Sequence, residues 1–100
     1  MIYKKKRTKE TLFMDPFNDN FFELFTQKRM ELIRAIMDSN PNSIRGLASI
    51  IERDIKNVFD DLKILNNLNI IDFKREGRRK KPVLKKETIV FSFKKVVKND

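Results

Sequence analysis

The sequence predicts an α+β fold in which helices precede a β-hairpin, and three observations carry that prediction. From Asp54 to Leu68, the apolar residues Ile55, Val58, Phe59, Leu62, Leu65 and Leu68 recur at helical spacing, with Arg53, Lys56, Asn57, Asp60 and Asn67 opposite. Two shorter helical patterns come before this one. After it, the apolar stretches Ile70-Ile71-Asp72-Phe73 and Val83-Leu84 are separated by Gly77 and the basic run Arg78-Arg79-Lys80-Lys81, the pattern of two strands joined by a cationic tip.

Taken in order, residues 1–18 read as a basic, Phe-containing arm without periodicity, residues 19–94 as one domain, and residues 95–100 as a frayed tail. Thr11 to Phe25 holds Phe13, Phe17, Phe21, Phe22 and Phe25, interrupted by Pro16 and Asn18-Asp19-Asn20. We read a loose lead-in and then a short helix from about Asp19, an N-cap candidate. The rings either cover one end of the core or form a dimer surface together with Ile89 and Phe91, because a small domain rarely leaves such a strip in water.

Thr26 is the next N-cap candidate. Met30, Ile33 and Met37, with Ile36 beside them, then repeat at helical spacing until Asn40-Pro41 stops the helix. Ser43 caps a second helix from Ile44 to about Ile51, with Leu47, Ala48 and Ile51 inward. Gly46 inside it costs about 1 kcal/mol against alanine, so close packing is expected there. Glu52-Arg53 makes the turn, and Asp54 suits the positive end of the third helix. Asn69 offers a left-handed cap. Pro82 cannot donate to a ladder, so its strand belongs at a sheet edge. Lys85-Lys86-Glu87 breaks the hairpin, and an extra strand runs from Thr88 to Phe93.

Composition narrows the function. The chain has 100 residues, no cysteine and no histidine, so disulfides, thiolate metal sites and histidine-dependent catalysis are excluded. No catalytic residue, cofactor or metal is assigned. No apolar run nears the roughly 20 residues that span a bilayer. No apolar segment follows Lys4-Lys5-Lys6-Arg7, so no secretory signal is expected and a cytoplasmic location is. The net charge of +9 is segregated: +4 over residues 1–10, −2 over residues 11–69 and +7 over residues 70–100. Positive charge gathered at two ends points to a polyanion.

Helix, short helix, tight turn, longer helix and hairpin with a basic tip is the order of a winged helix-turn-helix. The expected partner is double-stranded DNA. Packing the apolar stripe inward turns Lys56 and Asn57 outward; Asn57 can read a base edge, whereas Lys56 or Arg53 meets phosphate. Arg45 and Lys63 join this set. Asp60 would sit near phosphate unless it accepts from cytosine or pairs with Arg53 or Lys63. In the wing, Arg75, Arg78, Arg79, Lys80 and Lys81 would supply affinity and salt dependence with little sequence preference. The arm cations Lys4, Lys5, Lys6 and Arg7 could contact phosphate or enter the minor groove. The alternative is that these charges only keep the surface solvated.

The stretches Phe25-Thr-Gln-Lys-Arg-Met-Glu-Leu-Ile-Arg-Ala-Ile, Ser43-Ile-Arg-Gly-Leu-Ala, Arg53-Asp-Ile-Lys-Asn-Val-Phe-Asp-Asp-Leu and Gly77-Arg-Arg-Lys-Lys-Pro resemble a family of small MarR-like predicted transcriptional regulators. The likeness covers about residues 22–93. It implies a winged-helix homodimer on operator DNA, in some relatives an antitoxin paired with a RelE-like toxin. Arg45, Arg53, Asp54, Lys56 and Asn57 match the family's helix-turn-helix signature, and Gly77, Arg78 and Pro82 match its wing. Gly46 and Asn69 depart from the pattern. Two other readings remain open: a small basic endoribonuclease of the RelE type, and a winged-helix module for RNA or a protein partner.

Overall fold

A computed structural model describes residues 11–17 and 20–93. Within them the elements run β1 (Thr11–Met14), α1 (Phe21–Leu24), α2 (Gln27–Ser39), α3 (Ile44–Ile50), α4 (Ile55–Asn67), β2 (Ile71–Glu76), β3 (Arg79–Leu84) and β4 (Thr88–Phe91). The class is α+β. The short N-terminal helix and the extra strand are both present, as α1 and β4. The arm cations Lys4, Lys5, Lys6 and Arg7, the proposed cap Asp19 and the tail lie outside the described residues.

Local chemistry sets the helix limits. Thr26 Oγ1 accepts from the Arg29 backbone N–H at 3.3 Å, Ser43 Oγ from Gly46 at 2.9 Å and Asp54 Oδ2 from Asn57 at 3.1 Å. Each satisfies an otherwise orphaned donor of the first turn. At the far ends, Asn40, Glu52 and Asn69 adopt positive φ. Asn69 N–H donates to Asn66 C=O and Ile70 N–H to Leu65 C=O, which is a Schellman stop with asparagine in the place glycine usually takes. The same pair of bonds, Glu52 to Ser49 and Arg53 to Ala48, ends α3, with Glu52 in the left-handed conformation.

The core joins Leu32 and Ile36 of α2, Leu47 and Ala48 of α3, and Val58, Leu62 and Leu65 of α4 to Ile70 and Ile71. Three positions expected inside are not, the first being Ile55, 36% exposed at the start of α4. Met30 and Met37 are 54% and 64% exposed, because α2 turns its Leu32–Ile36 row toward the core and leaves the methionines roughly 100° or more around the helix. Gly46 is confined by its own cap: a Cβ there would sit 3.2 Å from Ser43 Oγ.

β2 and β3 pair antiparallel around the turn Gly77–Arg78, with Gly77 at φ +62. Positive φ at the first of two central positions is the requirement of a type II′ hairpin. Counting back from Glu76–Arg79, alternate pairs place Phe73–Pro82 at a non-hydrogen-bonded step, where proline sacrifices no ladder bond. Phe73 N–H is instead taken by Asp72 Oδ1 at 2.8 Å. Lys85 and Lys86 N–H both donate to Ile70 C=O, which bends the chain out of the hairpin.

The lead-in is not loose where it is described. Thr11–Met14 forms β1 and pairs in parallel with β4, Thr11 opposite Thr88 and Met14 opposite Phe91. The expected dimer residues Phe21 and Phe25 turn inward: Phe21 is buried, 4.6 Å from Phe25 and 4.4 Å from Phe91 between ring centroids. Ile89 packs half-buried against the core. Phe17 and Phe22 remain about three-quarters exposed, at 73% and 72%. No helix among the described residues is long and apolar enough to cross a membrane.

Candidate nucleic-acid interface

α4 is the centre of the site, and its two flanks differ. Steps of about 100° per residue put Ile55, Phe59, Lys56 and Lys63 on one flank and Asn57 and Asp61 on the other. Lys56 and Asn57 are both exposed, as expected, but they face different surroundings.

On the Asn57 flank the charges are paired. Asp61 accepts from Arg29 Nε at 3.0 Å and from Arg53 Nη2 at 2.7 Å, with all three side chains about four-fifths buried or more. Arg29 Nη1 also donates to the Leu24 carbonyl at 2.6 Å, tying the end of α1 to α2 and α4. Arg53, expected at phosphate, is thus held as a structural bridge. Its Nη1 is buried without a hydrogen-bond partner among the described residues. Asp60 pairs with Lys63 at 3.3 Å, one of the partners anticipated for it. Lys63 Nζ also lies 4.9 Å from the centroid of the Phe59 ring. Arg29 and Asp61 were missed by sequence reasoning. The available signal was Asp61's position about 60° from Val58, on the border of the apolar stripe, where a carboxylate needs a cation.

Beyond the Ile55–Lys56 flank, the hairpin tip and the start of α3 border an open groove of about 850 Å³ lined by Arg45, Arg75, Arg78, Arg79 and Lys80, with Asn40, Asn42 and Ser43. No carboxylate lines it, and none of the five cations makes an ion pair among the described residues. The four-cation run is not one loop, as expected, but a turn residue and the start of a strand. Arg78 occupies the turn, and Arg79, Lys80 and Lys81 belong to β3. Lys81, half-buried, does not line the groove. Across the hairpin, Arg75 faces Lys80 and Lys74 faces Lys81. Like charges opposed in this way destabilise a sheet, whereas the pair next to the turn, Glu76–Arg79, sets opposite charges across the strands.

Lys80 and Ile44 also line a second, smaller concavity of about 420 Å³ together with Ile55, Lys56 and Phe59. Ile44 and Lys80 therefore line both, which makes the cationic groove a neighbour of the α4 surface. Phe13, Phe17, Phe22, Phe91 and Phe93 stay exposed.

No curated protein matches the chain. One family model, HVO_A0114, matches residues 24–91, a span that runs from the end of α1 through the helices and hairpin to the last residue of β4. Covering two-thirds of the sequence and both sides of the groove, that match shows that the chain belongs to the HVO_A0114 family.

Proposed function

We propose that this protein is a winged helix-turn-helix that binds double-stranded DNA and regulates transcription, in the manner of the small MarR-like regulators it resembles. α4 is then the recognition helix and β2–β3 the wing. One observation carries the reading: five cations without carboxylate partners among the described residues line a groove that shares Ile44 and Lys80 with the concavity on α4. A phosphate backbone supplies the missing negative charge. Burying such a groove against DNA releases counterions, which makes affinity steeply salt-dependent. Lys56 joins the groove side, and Asn57, outside it, is the side chain suited to a base edge. A second copy packed on Phe17, Phe22, Phe91 and Phe93 would cover their exposed rings, and a dimer that reads two half-sites needs its two α4 helices about 34–36 Å apart.

The test is a gel-shift titration of a mixed-sequence duplex over a range of salt concentrations, comparing the protein with a variant carrying alanine at Arg75, Arg78, Arg79 and Lys80. With each phosphate contact contributing about 0.9 to the slope of log affinity against log salt, the variant should lose about 3 to 4 from that slope. Unchanged affinity and slope would reject the reading. Preferential binding of a single RNA strand by the unaltered protein would favour the RNA-binding alternative.

A further inference from the structure

The smaller concavity beside Lys80 has a floor of hydrocarbon, made by Ile44, Ile55 and Phe59, and its charged residues are Lys56 and Lys80. Ile55 is the first residue of α4 and is 36% exposed, next to the outward Lys56. Helix stability gives no reason for an isoleucine in water at this position, since any good helix former would serve there. Phe59 lies 6.3 Å from Phe73 between ring centroids and has Lys63 Nζ 4.9 Å from its own centroid.

We infer that this slot receives the 5-methyl group of a pyrimidine, thymine above all, from the major groove of the bound duplex. The inference rests on the DNA-binding reading and adds to it a base preference. Charge complementarity fixes the occupant. A free apolar ligand would gain nothing from the two lysines or from the cationic groove reached through Lys80 and Ile44. A duplex brings phosphates to both and exposes one apolar group on its major-groove edge, the thymine methyl. Ile55 and Phe59 then discriminate by burying that methyl, while Lys56 and Lys80 hold the flanking backbone.

The experiment compares a short mixed-sequence duplex containing thymine with the same duplex carrying uracil at every thymine position, and with a third in which 5-methylcytosine replaces cytosine. Uracil differs from thymine only by the methyl. We expect the uracil duplex to bind about fourfold more weakly per slot, the effect of one methyl group left in water. The methylcytosine duplex should bind at least as tightly as the parent. The Ile55→Ser variant should bind thymine and uracil duplexes alike, with the salt slope kept. Equal binding of thymine and uracil duplexes by the unaltered protein would overturn the inference while leaving DNA binding intact. Failure to bind any of the three duplexes would overturn both.

Discussion

The two flanks of α4 carry similar sets of side chains to opposite ends. On one, Arg29 and Arg53 converge on Asp61 and are mostly buried. Beyond the other, Arg45, Arg75, Arg78, Arg79 and Lys80 face an open groove with no acid in its lining among the described residues. An arginine among buried neighbours needs a carboxylate to offset its desolvation, and once bound to one it is no longer available to a ligand. An arginine at a hairpin tip stays hydrated and costs little until an anion arrives. The contrast shows that basic residues cannot be counted toward binding until their partners are known.

The largest expected effect breaks the paired flank. Asp61→Ala strips two arginines of their shared partner and should lower stability by about 3 kcal/mol, near the lower end for a buried pair because the three side chains keep some solvent contact. Urea unfolding followed by circular dichroism measures it, and a loss under about 0.5 kcal/mol would show that the bridge is ornamental. Next comes Asn57→Ala. A base-edge contact is worth about 1–3 kcal/mol of discrimination, so the ratio of affinity for a selected duplex over random duplex should fall about tenfold. A constant ratio would remove Asn57 from base readout.

Two arginine truncations then set the flanks directly against each other. Arg75→Ala should weaken duplex binding about fivefold through one lost phosphate contact and leave the urea midpoint in place. Arg53→Ala should do the reverse, shifting the midpoint and sparing the affinity of the folded protein. If both variants lost affinity equally, the division into flanks would fail. The smallest effect sits at the turn between α3 and α4. Glu52 holds φ +56, a conformation that costs a side-chain-bearing residue about 1 kcal/mol. Glu52→Gly should therefore raise stability by about 0.5 kcal/mol, after the added freedom of the unfolded chain is subtracted. A rise in thermal midpoint checks this, and a fall would mean that Glu52 has a role in the turn beyond its backbone.

Features with a range of a few residues were legible in the sequence. Thr26 and Ser43 cap as expected because a capping oxygen reaches only the N–H two or three positions ahead, and Asp54, expected at the positive end of α4, caps it in the same way. Asn69 stops α4 for an equally local reason, and Gly77 turns the hairpin. The stripe Val58–Leu62–Leu65 is inward because α4 has only one wide apolar face. The α2 pattern was ambiguous: Met30–Ile33–Met37 and Leu32–Ile36 are both helical rows, and periodicity does not say which meets the core.

What the amino-acid order determined alone was therefore the element types from α1 to β4, the caps of α2 and α3, and the segregation of positive charge to the hairpin, all consequences of neighbours along the chain. Tertiary structure alone decided that β1 pairs with β4, that Phe21 is buried while Phe22 is exposed, and that Arg53 belongs to Asp61 whereas Arg75 belongs to an open groove. Each of these depends on which distant segment arrives beside a residue. A side chain's hydration and ionic partners, the quantities that make it structural or available, follow from that arrival and not from spacing.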